Sequence, residues 1–252
     1  MKIIDFHTHP YIEQTENIKN YPVMEQNGFS LQRQELEALG LTAIAGSVIY
    51  RRSESNLANM QEANRIAFAI QDTHPDFYIP GIQINPIYMK ESCETVEKAY
   101  KKGVRLIGEL TPYTFGQWEY HTCGEIFALA QDLGMVVSCH PTNEEDMRKT
   151  LAAFPRLTII FAHPGEKPAF TAHLERMKDY KNMYLDISGT GIFRYGLLRY
   201  GIDMVGKERF LFGSDFPTCN PGGYIGSVQF EKIKEDELEH LFYKNAERIL
   251  GL

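Results

Sequence analysis

From one end of the chain to the other, short apolar runs rich in β-branched residues alternate with longer segments in which apolar residues recur every three or four positions. The short runs read as strands: Lys2–His9, Thr42–Ile49, Phe77–Ile84, Val104–Leu110, Met135–His140, Thr158–His163, Met183–Ser188 and Phe210–Asp215. The longer segments read as helices packed on a sheet: Asn56–Thr73, Glu91–Lys101, Gly124–Leu133, Asn143–Phe154, Pro168–Asp179 and a last one at roughly Glu235–Leu250. Gly103 and Gly134 stand where a helix C-cap would turn the chain into the next strand. Such alternation builds parallel βαβ units. Eight of them in 252 residues favour closure into a (β/α)8 TIM barrel, whose usual size is about 250 residues. No linker or composition shift divides the chain, so the expectation is one α/β barrel domain over 1–252. The long connection from Pro10 to Phe29 and the segment Phe216–Val228 are expected to be active-site loops, the first in the manner of a lid.

Polar residues interrupt these apolar strands at consistent places. His7 and His9 are two apart, so they project together from the end of the first strand. His140 and His163 end the runs VVSCH and IIFAH, Glu109 nearly ends RLIGEL, and Asp215 ends LFGSD. In a parallel barrel all strand C-termini meet at one rim, where barrel active sites sit, so these six side chains can converge. Neutral imidazoles and carboxylates suit Zn²⁺ and related divalent ions. An aspartate beside a metal-activated water can take its proton as general base. A lone strand-end histidine is often only a satisfied polar group, and Glu109 could equally close a salt bridge. The register of the whole set is what points to function. Asp5 lies deeper on the same face and reads either as support for the histidines or as a merely structural residue. Arg51 and Arg52, after the second strand, could grip a carboxylate bidentately, and Tyr113 and Arg194 are weaker candidates of that kind. His121, His173 and His240 read as surface residues, and Cys139, alternating with His140, as an inert core thiol.

Composition narrows the partners. A net charge of −7 gives no basic footprint for nucleic acid and points to a small-molecule substrate. No signal peptide is visible, because MKIIDFHTHP runs directly into an expected strand, and no apolar run is long enough for a membrane span. The four scattered cysteines read as reduced thiols, so the expected compartment is the cytoplasm. Nothing fixes the oligomeric state, and a homo-oligomer stays open.

The motifs DFHTHP, AHPG, GSDFP and the terminal KNAERILGL, in this strand order, resemble the amidohydrolase superfamily. They are most similar to its amidohydrolase-2 branch of lactonases, related hydrolases and nonhydrolytic decarboxylases, and the resemblance covers essentially the whole chain. It implies that His7, His9 and Asp215 bind one metal, and that His140 binds a metal or the substrate. His163 would bind a second metal, or act as acid or substrate ligand. Glu109 stands where many two-metal relatives bridge their ions with a carboxylated lysine and others with a glutamate. One or two zinc ions per chain are expected. The leading function is then hydrolysis of a lactone, ester or amide by metal-activated water, with Asp215 and His163 catalytic. The alternative is a nonhydrolytic decarboxylase similar to aminocarboxymuconate-semialdehyde decarboxylase. A TatD-like nuclease and a non-catalytic barrel fit the charge and the complete ligand set less well.

Overall fold

Each predicted strand forms, shorter by a residue or more at one or both ends. They are β1 (Ile4–Thr8), β2 (Ala43–Ser47), β3 (Tyr78–Ile82), β4 (Leu106–Leu110), β5 (Val136–Cys139), β6 (Thr158–Phe161), β7 (Met183–Asp186) and β8 (Phe210–Leu211). The computed structural model describes residues 1–12, 28–49, 56–112, 118–191 and 194–252. All neighbouring strands are parallel and follow chain order, β1 to β8. The chain beyond β8 closes against β1, with Phe6 N donating to Phe212 O at 2.8 Å and Asp215 N to His7 O at 2.8 Å. The result is the expected single-domain (β/α)8 TIM barrel.

Helices α1 (Phe29–Ala38), α2 (Leu57–Thr73), α3 (Met89–Lys101), α4 (Gly124–Asp132), α5 (Glu144–Ala153), α6 (Lys167–Asp179), α7 (Leu197–Val205) and α8 (Pro221–Phe230) each follow one strand. Local chemistry sets their starts. The Asn56 side chain accepts from Asn59 N at 2.8 Å, and Asn143 does the same for Asp146 N at 2.9 Å. Pro221 occupies the first turn of α8, where its missing N–H costs nothing. Gly103 and Gly134 turn the chain after α3 and α4 with φ of 90° and 66°. The last predicted helix is two helices, α9 (Glu235–Glu239) and α10 (Asn245–Leu250), joined by a π-turn over His240–Lys244.

Two hydrophobic layers hold the barrel. The larger lies between the sheet and its ring of helices. The smaller takes Ile4, Phe6, Ala45, Leu106, Val136, Ile160 and Leu211 from six strands and packs them with Ala246 and Leu250 of α10. Lys2, just before β1, pairs with Glu247 at 2.5 Å, so α10 floors the end away from the strand C-termini. With that end filled, the strand C-termini are left to carry chemistry.

The segment Phe216–Val228 differs from the expected loop, because α8 begins inside it. Pro221, Tyr224, Ile225 and Val228 are its buried residues, at i, i+3, i+4 and i+7. The Pro10–Phe29 connection is described only at 10–12 and 28–29, and α1 starts at Phe29 itself. No helix among the described residues is long and apolar enough to cross a membrane.

Candidate metal centre

All six predicted side chains meet at the C-terminal rim. His7 Nε2 and His9 Nε2 are 3.2 Å apart. Asp215 Oδ1 lies 3.8 Å from the first and 3.6 Å from the second. Glu109 sits between the histidines and divides its two oxygens among them. Its Oε2 is 3.3 Å from His7 Nε2 and 3.2 Å from His9 Nε2. Its Oε1 is 3.0 Å from His140 Nδ1 and 3.6 Å from His163 Nε2. His140 and His163 pack edge to face with ring centroids 4.8 Å apart. Two groups have ligand atoms close enough together to hold an ion: His7, His9 and Asp215, and His7, Glu109 and His163.

The ring nitrogens turned away from the centre meet groups that fix their protons. His9 Nδ1 donates to the Ser47 carbonyl at 2.8 Å. His7 Nδ1 donates to Asp186 Oδ2 at 2.9 Å. A carbonyl or a carboxylate can only accept, so each Nδ1 carries a proton and each Nε2 faces inward. A carboxylate behind an inward imidazole is the usual way of orienting and strengthening a metal-binding histidine. Glu109 is held from its backbone. Ser47 Oγ donates to its carbonyl at 3.2 Å, and Gln83 Nε2 donates to the same oxygen at 2.9 Å. Asp5 supports the other side, accepting from Ser214 N at 2.9 Å, from Ser214 Oγ at 2.5 Å and from His7 N at 3.2 Å. It thereby ties β1 to the residue beside Asp215.

Burial and charge set the electrostatics. Burial alone would lower His7, but the carboxylates of Asp186 and Glu109 outweigh it and hold the imidazole well above its usual range. Burial would raise Glu109, yet the charge of His7 and the hydrogen bond from His140 keep it well below the ordinary carboxylate range. Burial lowers His163. It pushes Asp5 up to about 7 against the hydrogen bonds from Ser214 and His7.

His163 and Asp215 share one further property. Their φ values of 58° and 64° lie in the left-handed region that non-glycine residues avoid. Such strain costs about 1–3 kcal/mol per residue and persists where the surroundings impose it, most often at functional sites. Here it re-aims two strand-end side chains toward the centre.

The remaining expectations divide. Cys139 is a fully buried thiol as expected, and burial pushes it well above the usual thiol range. His121 is half-exposed and hydrogen-bonds Asp146 at 3.0 Å. Asp146 in turn accepts from the backbone of Tyr120 and His121, pinning the β4–α4 connection to α5. His173 is not a surface residue. It is 3% exposed, on the inner side of α6, with Arg176 donating to its Nδ1 at 2.8 Å. Arg194 is exposed and engaged with Glu166 at 2.9 Å. Arg51, Arg52 and Tyr113 lie outside the described residues. Sequence reasoning missed Asp186, Ser188, Ser47, Gln83 and Ser214. The first two carried a signal, because MYLDIS ends an apolar strand in polar residues as the other rim strands do.

Comparisons with known proteins follow the same outline. No curated protein matches the chain in sequence. A 2,6-dihydroxybenzoate decarboxylase solved with 2,6-dihydroxybenzoate is similar over 100% of both chains, with a TM-score of 0.78 and 15% identity. So is 5-carboxyvanillate decarboxylase from Sphingomonas paucimobilis, over 100% of this chain and 99% of that one, with a TM-score of 0.74 and 14% identity. A dihydroxybenzoic acid decarboxylase from Polaromonas, solved with manganese and 2-nitroresorcinol, covers 100% of this chain and 97% of its own, with a TM-score of 0.70 and 16% identity. At these identities the likeness is one of fold. The family model described as amidohydrolase matches residues 4–252, and the chain belongs to that family.

Proposed function

We propose that this protein is a metal-dependent hydrolase of a small lactone, ester or amide, with a site for two divalent ions. The observation that carries the reading is the position of Glu109. One of its oxygens faces His7 and His9, and the other faces His140 and His163. A carboxylate shared between two histidine pairs fits a bridge. The donor set fits zinc and its neighbours, being imidazole-rich, buried and turned inward. His7, His9 and Asp215 would hold one ion, His140 and His163 the other, and Glu109 both. When bound, the ions would polarise the scissile carbonyl and make a water nucleophilic near neutral pH.

The chain's own residues do the rest. Asp215, whose side chain keeps 12% exposure at the mouth of the cluster, accepts the attacking water's proton at a carboxylate oxygen. It then returns that proton to the leaving oxygen or nitrogen. Asp186 and the Ser47 carbonyl keep His7 and His9 from swinging away. His163, with Nε2 3.6 Å from Glu109, supplies a basic nitrogen inside the site.

A second reading is a nonhydrolytic decarboxylase of an aromatic carboxylate, supported by the fold likeness to the decarboxylases above. Metal analysis of the purified protein, followed by parallel assays of hydrolysis and CO₂ release with zinc and with manganese, separates the two. Two ions per chain and turnover of a lactone, ester or amide are expected. One ion and CO₂ release would overturn the hydrolytic reading.

A further inference from the structure

Ser188, two residues past Asp186, the last residue of β7 paired with β8, is fully buried, and its hydroxyl lies between three site residues. It donates to Asp186 Oδ1, and the same carboxylate oxygen accepts Ser188 N at 2.9 Å. Ser188 Oγ is also 3.0 Å from His163 Nδ1 and 3.0 Å from His7 Nδ1. A hydroxyl has one proton, and a carboxylate can only accept. With that proton committed to Asp186, the oxygen can only accept from the imidazoles. The proton of His163 must therefore sit on Nδ1, which leaves the lone pair on Nε2, the nitrogen that faces Glu109.

From this geometry we infer that Ser188 is a positioning residue that, backed by Asp186, fixes the tautomer of His163 so that Nε2 can bind a metal or accept a proton.

Two neighbours fit this role. A Cβ at Gly189 would come within 2.3 Å of His163 Nδ1, so only glycine lets that edge of the ring seat beside Ser188. Tyr224 of α8 donates to the Gly189 carbonyl and holds the turn in place. The direction of the chain also matters. His7 Nδ1 has Asp186 Oδ2 as a second acceptor, whereas the Ser188 oxygen is the group that meets His163 Nδ1. Loss of Ser188 should release His163 and leave His7 held. Loss of Asp186 should free the serine proton to donate to His163 Nδ1, which inverts the tautomer.

The inference rests on the reading that His163 works inside the cluster, but its test needs neither substrate nor metal. Imidazole ¹⁵N spectra of metal-free protein, taken at about pH 8 where an ordinary histidine is neutral, report which nitrogen carries the proton. A His163→Asn spectrum assigns the signal. Wild type should show His163 as the Nδ1–H form. Ser188→Ala should move the tautomer ratio toward Nε2–H by about five- to tenfold, the equivalent of one hydrogen bond. Ser188→Thr, which keeps the hydroxyl, should restore the wild-type ratio. Asp186→Ala should invert it, an effect that loss of packing alone would not produce. Zinc titration by calorimetry should then show Ser188→Ala binding about 10- to 100-fold more weakly, as for other groups that orient a metal-binding histidine. An Nε2–H tautomer in wild type, or an unchanged ratio in Ser188→Ala, would overturn the assignment whatever reaction the enzyme performs.

Discussion

Glu109 Oε1 lies 3.0 Å from Nδ1 of His140, whereas His7, His9 and His163 turn Nε2 toward the same carboxylate. The two oxygens of Glu109 therefore serve opposite halves of the cluster. Glu109→Gln keeps the size of the side chain and removes the charge that two cations would share. The expected result is a fall from two bound ions to one, measured as metal per chain by elemental analysis. A variant that still carries two ions would show that Glu109 is not the bridge.

Asp215 is the residue on which turnover depends in the hydrolytic reading. Its left-handed backbone and the Asp5–Ser214 tie beside it hold the carboxylate against His7 and His9. Asp215→Asn keeps size and a ligating oxygen but cannot take the proton of water. Turnover should fall at least about 10²-fold, the low end for losing a general base, with metal content measured on the same sample. Near wild-type turnover in a metal-loaded Asn variant would remove Asp215 as the base.

Much of this architecture was legible from residue order. The strand-end histidines and Asp215 stood out because each broke an apolar run at the same place. Parallel topology then did the assembling, since every strand C-terminus must reach one rim. What escaped had a different physical basis. Helix α7 reads LLRYGIDMV and α8 reads PGGYIGSVQF, and glycines in both weaken the helical signal although the buried spacing is intact. Asp186 and Ser188 were readable as strand-end polar residues. Their task depends on His7, 179 and 181 residues earlier in the chain, and no local pattern carries that pairing. His173 looked solvent-facing because its buried partner, Arg176, is itself a residue type seldom buried.

The glycines of α7 and α8 can be told apart by experiment. A Cβ on Gly201 would come within 2.5 Å of Phe170 Cζ and 2.9 Å of Phe210 Cζ, two rings buried between α6, α7 and the barrel. Gly201→Ala should destabilise the fold by about 1–3 kcal/mol, the usual cost of overpacking a core. Gly226 of α8 has nothing within 4 Å of its would-be Cβ. Gly226→Ala should stabilise by up to about 1 kcal/mol through helix propensity. Urea unfolding of both variants checks the opposite signs, and a stabilised Gly201→Ala would show that α7 can move off the two rings.

His173 makes the stability of this protein sensitive to acid. Burial, with the neighbouring Arg176 guanidinium second, pushes its pKa down to about 3 from an ordinary value near 6.5. Arg176 donates to Nδ1, so the imidazole is neutral in the fold with its proton on Nε2. In the unfolded chain the same residue takes up a proton as the pH falls through about 6.5. The folded pKa is the depressed one. The stability it contributes is therefore complete above about 6.5 and is lost as the pH falls toward about 3, at up to about 1.4 kcal/mol per pH unit. Asp5 and His7 are shifted upward and act with the opposite sign, so the wild-type profile alone cannot isolate His173. Comparison with His173→Gln can, because the other groups are common to both proteins and the glutamine carbonyl still accepts from Arg176. Between pH 7.5 and pH 5 the wild type should lose about 2 kcal/mol more unfolding free energy than the variant, read from urea midpoints at each pH. Parallel profiles would mean that His173 takes up its proton in the fold as readily as in the unfolded chain.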